Sequence, residues 1–238
     1  MQETTSKETQ RTVVSSGNPE LDSRMGGGLP IGSLILIEGA SGAGKSVLSQ
    51  QIVWGALQDG FRATLFTTEN TVKSLVSQMD SIDLAVLDFV LLRRLRVYPI
   101  ELSQLGETAP TALMKAVKNE REQDVIIIDS VTSAATTQGA VDAQILGFFE
   151  ECKRICSKGV SIIVTLHSDA LDLDLINPIR SMCDAHLKLF TEQDGQRLVK
   201  TLQVAKIRGA ASVTGAIVGF EVEPGWGMRV IPISKARG

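Results

Sequence analysis

The sequence predicts an α/β fold: a central, mostly parallel sheet flanked by helices, with antiparallel strands and hairpins near the carboxyl end. Three observations predict it. Short continuous apolar runs recur along the chain, each with the length and composition of a strand buried on both faces. Between them lie segments whose apolar residues return every three or four positions, the spacing of helices that cover a sheet. The last ~40 residues change character and read as strands joined by turns. At 238 residues the chain can bury a sizeable core, and no long low-complexity linker divides it, so one domain over residues 13–238 is expected.

Taken in order, residues 1–12 (MQETTSKETQRT) carry almost no apolar content and are expected to form a flexible arm. SLILIEG (Ser33 to Gly39) is the first buried strand, and a helix follows from Lys45 to about Gln58. ATLFTT (Ala63 to Thr68) is the second. It leads into a helix from Thr71 to about Asp80, for which Asn70 is the expected N-cap. DVIIIDS (Asp124 to Ser130), VSIIVTL (Val160 to Leu166) and AHLKLF (Ala185 to Phe190) supply further strands. In AVDAQILGFFEECKRICSKG the residues Val141, Ile145, Phe148, Phe149, Cys152, Ile155 and Cys156 form one helix stripe, and Gly159 is the natural stop. RLVKTLQVAKIRG, GAIVGFEVE and GMRVIPI then extend the sheet with antiparallel hairpins.

Composition narrows the function. Lys plus Arg number 24 against 27 Asp plus Glu, a net charge of −3, so no global field draws the chain to nucleic acid or anionic lipid. No apolar run reaches the ~20 residues of a membrane-spanning helix, and the polar amino terminus lacks the pattern of an export signal. Three cysteines, an odd number without zinc-type pairing, suit a reducing cytoplasm.

The strongest local signal is GASGAGKS. It fits G-x-x-x-x-G-K-[ST] in full and lies after an apolar strand and before a helix, as a phosphate-binding loop must. Gly39, Ala40, Ser41, Gly42, Ala43 and Gly44 would curl backbone N–H groups around a phosphate. Lys45 would reach the β- and γ-phosphates and the Ser46 hydroxyl would ligate Mg2+. An ordinary glycine turn would not require the Lys-Ser pair and both flanks. The metal's second anchor is expected at the end of another buried strand, and Asp129 in VIIIDS is that acid; its alternative is a turn or cap residue. A nucleoside triphosphate such as ATP, with Mg2+, is therefore the expected ligand, and the motif leaves the base open.

GNPELDSRMGGGLPIGSLILIEGASGAGKSVLSQQ resembles the opening of the KaiC-like branch of RecA-type ATPases, through Leu21-Asp22 and the run Gly26 to Gly32 ahead of the first strand. TTENTVKSLVSQM and the single-domain length are most similar to the FlaH (ArlH) subfamily, accessory ATPases of the archaeal flagellum, or archaellum. The resemblance implies a RecA-like P-loop fold. It also implies that Glu69, at the end of the strand after the phosphate-loop helix, orients the attacking water. Many KaiC-like members have two adjacent glutamates there, whereas this chain has Asn70, whose amide cannot accept the water's proton. A further implication is that Lys206 and Arg208 in AKIRG reach the γ-phosphate held by a neighbouring subunit and act as a finger in trans. Without the resemblance, Glu69 reads as a polar strand end and the Lys206–Arg208 pair as charges on an exposed edge.

For partners, the resemblance implies a homo-oligomeric ring, a hexamer, at the inner face of the cell membrane. The ring would contact the FlaI-like motor ATPase and the FlaJ-like membrane platform protein, with a surrounding scaffold ring and only indirect membrane contact. No nucleic acid is expected. Two other readings compete: a RecA-like DNA-dependent ATPase, disfavoured by the acidic balance and 4% aromatic content, and a KaiC-like autophosphorylating ATPase, for which no phosphoacceptor stands out. Weaker candidates are His167 as a γ-phosphate sensor, set against a structural histidine, and Arg93, Arg94 and Arg96 as a basic patch, set against a solvated strand face. Cys152 and Cys156 read as core packing.

Overall fold

The computed structural model describes residues 12–132, 142–194, 197–210, 213–225 and 227–232. The expected arm, apart from Thr12, lies outside the described residues, as does Val141. Along the chain come β1 (Val13–Val14), α1 (Pro19–Arg24), β2 (Leu29–Pro30), β3 (Leu34–Gly39), α2 (Lys45–Gln58), β4 (Ala63–Thr67), α3 (Val72–Ser81), α4 (Leu87–Leu91) and β5 (Leu95–Pro99). A 3-10 segment (Leu102–Thr108) then leads into α5 (Ala109–Asn119) and β6 (Val125–Asp129). After these come α6 (Asp142–Cys156), β7 (Ser161–His167), α7 (Leu173–Met182), β8 (Ala185–Asp194), β9 (Arg197–Ile207), β10 (Ile217–Glu223) and β11 (Gly227–Ile231).

The predicted strands form and join in a nine-stranded sheet ordered β11-β10-β9-β8-β3-β7-β6-β4-β5. From β8 to β5 the pairing is parallel, and from β8 outward to β11 it is antiparallel. Both faces are covered, which is why the central strands read as unbroken apolar runs. Ile35 and Ile37 of β3 pack into the layer that holds α2 and α3, whereas Leu34 and Leu36 pack into the layer that holds α5, α6 and α7. The strand β3 lies between β7 and β8 rather than beside β4, so its carboxyl end opens at a topological switch point, where open α/β sheets bind ligands. Register sets Gly39 beside His167 and Thr67 beside Asp129 along that edge.

Several details differ from expectation. Thr71, not Asn70, caps α3: its hydroxyl accepts from Ser74 N, and the Ser74 hydroxyl accepts from Thr71 N, a reciprocal capping box. Capping from Asn70 would put Lys73 at the third helical position, where an ammonium has no acceptor to return the bond. Asn70 Oδ1 instead accepts from Ser74 Oγ at 3.3 Å. Of the basic cluster, Arg94 and Arg96 are engaged within the chain. Arg94 donates to Leu57 O and Phe61 O and stacks over Phe89, while Arg96 pairs with Glu120 at 2.9 Å. The expected stripe of α6 is buried from Ile145 to Cys156, with Cys152 and Cys156 in the core, where they are joined by Cys183. Burial pushes the Cys156 and Cys183 thiols up to about 12, so they stay protonated and unreactive.

Candidate nucleotide site

β3 ends at Gly39 and α2 begins at Lys45, so the loop between them is held at both ends by regular structure. The N-cap of α2 is Gly44, in the left-handed region at φ 103°, and no side chain caps it. The N–H groups of the first turn are left to an outside acceptor at the positive end of a 14-residue helix. Only glycine suits this position: besides the strained φ, a Cβ would lie 3.1 Å from the Phe220 ring. Lys45 is 6% exposed, and its ammonium donates to Gly39 O and Ala40 O, both at 2.9 Å. Burial lowers its pKa, opposed by the charges of Asp129 and Glu69. A phosphate would offer this buried cation a charged acceptor in place of two neutral carbonyls, and charge-assisted bonds are the stronger kind.

Asp129 closes the cleft from β6. Thr165 Oγ1 donates to its Oδ1 at 2.6 Å, and its backbone carbonyl accepts from Thr68 N at 2.9 Å. The carboxylate is thereby held rigid at the sheet edge. Ser46, Glu69, Asp129 and His167 line one cleft of about 240 Å3 with the phosphate loop. Glu69 is exposed there, on a turn organised by Thr67, whose hydroxyl accepts from Glu69 N at 3.3 Å and Asn70 N at 3.2 Å. His167 ends β7, and burial, then the Lys45 charge, lowers its pKa, which favours a neutral imidazole. Among the described residues no group of three or more His, Cys, Asp or Glu could hold a metal. The donor set fits a Mg2+ that arrives with a nucleotide: Ser46 and Asp129 are hard oxygen donors, and such an ion completes its shell with phosphate oxygens and water.

Immediately before the loop, Glu38 is buried at 3% exposure and is gripped by Arg180 through a paired contact and by His186 Nε2 at 2.8 Å. Burial alone would raise its pKa, but the bonds and charges of His186 and Arg180 outweigh this and hold it at about 2 against an ordinary 4.5. A depressed carboxyl stabilises the fold above its unfolded pKa and loses that contribution as pH falls through its folded one. We expect about 3 kcal/mol of stability to disappear between pH ~4.5 and ~2. Urea unfolding across that range would show it, and Glu38→Gln should flatten the slope.

A profile of the KaiC ATPase family matches residues 14–235. The chain belongs to the KaiC family of ATPases. Within that family it is similar to the archaeal flagellar ATP-binding protein FlaH of Sulfolobus acidocaldarius, at 32% identity over 94% of this chain and 99% of the relative. The FlaH of Methanocaldococcus jannaschii is 30% identical over 89% and 91% of the two chains. The crystal structure of the flagellar accessory protein FlaH from that organism superposes with a TM-score of 0.83 at 27% identity, covering 93% of this chain and 99% of the other. A KaiC-like protein from Pyrococcus horikoshii shares the fold, with a TM-score of 0.74 over 92% of this chain at 20% identity.

In this KaiC-family chain Lys206 and Arg208 do not join their own nucleotide cleft. Residues Ala185 and His186 at the start of β8 pair with Ile207 and Lys206, which sets the pair at the sheet edge opposite Gly39. Arg208 lies one residue beyond β9, and the register shifts between His186 and Leu187, opposite Ala205. Lys206 therefore leaves the face of Leu202 and Val204 and turns toward α7. Both cations reach one segment: Lys206 Nζ donates to Arg180 O and Ser181 O at 3.0 Å each, and Arg208 pairs with Asp184 at 3.2 Å. Sequence reading missed Lys200, which lines the phosphate cleft from β9 opposite Phe220. Parity with Leu202 and Val204 gives its strand face but not the cleft that this face meets, which strand order and register decide. Gln78 of α3 was missed too, and it enters only through the packing of α3 beside α2.

Proposed function

We propose that this KaiC-family chain is the ATP-binding ring component of an archaeal flagellum motor. In this reading bound Mg-ATP controls self-assembly and docking, and ATP is turned over slowly. One observation supports it above the others: the cleft holds phosphate-binding groups and Glu69, while the Lys206–Arg208 pair lies at the opposite sheet edge. Two copies meeting head to tail would bring the pair of one to the cleft of the other, and a heterologous contact of this kind closes a ring when the rotation between copies divides a full turn. Similarity to FlaH over nearly the whole chain supports the archaellum setting, with a FlaI-like motor ATPase and a FlaJ-like platform as partners. Among the described residues no helix is long and apolar enough to cross a membrane, so membrane association in this reading runs through those partners.

The chemistry follows from placement. The first-turn N–H groups of α2 and Lys45 bind and orient the phosphates. Ser46 and Asp129 hold Mg2+, which when bound neutralises charge on the phosphate oxygens. Glu69 orients the attacking water and takes its proton, unaided by the amide at Asn70. Lys206 and Arg208 of the neighbour complete the field around the γ-phosphoryl group. Binding energy for ATP then includes subunit contacts, so nucleotide and ring formation are linked.

Sedimentation of Lys206→Ala and Arg208→Ala with ATP tests this. At dilutions below assembly each variant should bind ATP as the unaltered chain does, yet need about tenfold or more higher protein concentration to assemble. Rings that form normally and keep the same turnover would end the trans reading.

A further inference from the structure

Resting on the trans role of Lys206 given above, we propose that Arg180, anchored on Glu38 at the root of the phosphate loop, is the positioning residue for Lys206. Arg180 makes two unlike attachments. Its guanidinium spans both oxygens of Glu38, the residue directly before Gly39. Its backbone carbonyl, with that of Ser181, accepts from the Lys206 ammonium at 3.0 Å. The carboxyl end of α7 is thus pinned to the phosphate-loop strand by a side chain and grips the trans-acting cation with its carbonyls.

The geometry suits positioning. Carbonyls at a helix carboxyl end carry partial negative charge, so they attract an ammonium and fix its place. An ammonium has three N–H donors, and the two helix carbonyls take two, which leaves one for an acceptor outside the chain. The planar fork of Arg180 on a carboxylate fixes direction as well as distance, which a flexible surface pair does not. Glu38 is 3% exposed and also takes His186 Nε2, and His186 is the cross-strand neighbour of Lys206. Lys206 is therefore braced from α7 and from β8, and both braces end on Glu38. The neighbouring cation Arg208 is held separately, on Asp184, which also pairs with Lys153 and accepts from Leu34 N at 2.9 Å. Loss of Arg180 should therefore act through Lys206 and spare Arg208.

A non-additivity experiment on the full chain tests this. Removing Arg180 alone would leave the buried carboxylate with His186 as its remaining charged partner, so the pair is exchanged together as Glu38→Gln with Arg180→Met, which removes both charges and keeps the volume. Arg180→Lys, which keeps the charge but not the fork, is the second variant and remains readable if the pair variant does not fold. Three quantities are followed: ATP affinity of the dilute chain, the protein concentration for half-assembly with ATP, and turnover of the assembled protein. The proposal expects ATP affinity within about twofold of the unaltered chain, a half-assembly concentration raised about tenfold for the pair variant and less for Arg180→Lys, and no further rise when Lys206→Ala is added. A merely structural role would make the effects of the pair variant and Lys206→Ala multiply, and that result overturns the proposal. So does a pair variant, or Arg180→Lys, that assembles normally while Lys206→Ala does not; the trans reading then survives without Arg180. If Lys206→Ala itself leaves assembly and turnover unchanged, both the proposal and the reading beneath it fall.

Discussion

ATP affinity should fall by at least ~100-fold when Lys45 is replaced by alanine, because two charge-assisted bonds to phosphate are lost at about 1.5–3 kcal/mol each. The fold itself should be little affected. Lys45 hydrogen-bonds only neutral carbonyls, and of the two carboxylates whose charges act on it, Asp129 keeps the Thr165 hydroxyl and Glu69 is exposed to water. Thermal melting with and without Mg-ATP separates the two effects. At an ATP concentration ~100 times its dissociation constant, the unaltered chain gains about 2.7 kcal/mol, a rise of roughly 5–10 °C for a chain of this size. Lys45→Ala at the same ATP concentration should rise by only about 1 °C, and should fail to assemble. Rings that persist in Lys45→Ala with unchanged partner affinity would show that nucleotide is not the assembly switch.

Turnover by the assembled protein should drop at least ~100-fold in Glu69→Gln while ATP stays bound, since a positioned general base contributes about 10²–10⁴ to rate. Glutamine keeps the size and the turn at Thr67, because Thr67 Oγ1 is bonded by backbone N–H groups rather than by the Glu69 side chain. The ATP-dependent rise in melting temperature should therefore survive. Turnover per subunit, measured across protein concentrations that span assembly, provides the comparison. A rise with assembly that collapses in Glu69→Gln identifies a working cycle completed in trans. Equal background rates in both proteins, with ATP retained, identify a nucleotide that is held and not spent. A wild-type rate unchanged by Glu69→Gln would remove Glu69 from the chemistry.

Most of the sheet was legible because its strands are buried on both faces, and this burial leaves an unbroken apolar run in VIIID and SIIVTL. The phosphate loop was legible because its backbone geometry demands particular residues at fixed spacing. The short antiparallel pairing of β1 with β2, and α1 between them, were not. They are set by a buried carboxylate, Asp22, which accepts from Ser15 Oγ and Ser16 N, and by Gly55 of α2, whose missing Cβ admits that segment. Neither contact leaves a local periodicity. The basic run Arg93 to Arg96 stayed open between a patch and a strand face for the same reason, since the partners of Arg94 and Arg96 come from α2, the loop after it and the end of α5.

By itself, the sequence determined a wound α/β sheet, a phosphate loop from Gly39 to Ser46, an acid at the end of another buried strand and membership of a nucleotide-binding family. Each of these is written in short stretches whose local physics demands particular residues. Only the tertiary structure decided that Lys200 and Gln78 enter the cleft, that Lys206 turns away from it at a register shift, and that Glu38 and Arg180 join the phosphate strand to the helix end holding Lys206. These relations link residues 142 positions apart for Glu38–Arg180 and 26 apart for Lys206–Arg180. They depend on strand order, register and bulges, which arise when distant segments pack and leave no pattern along the chain.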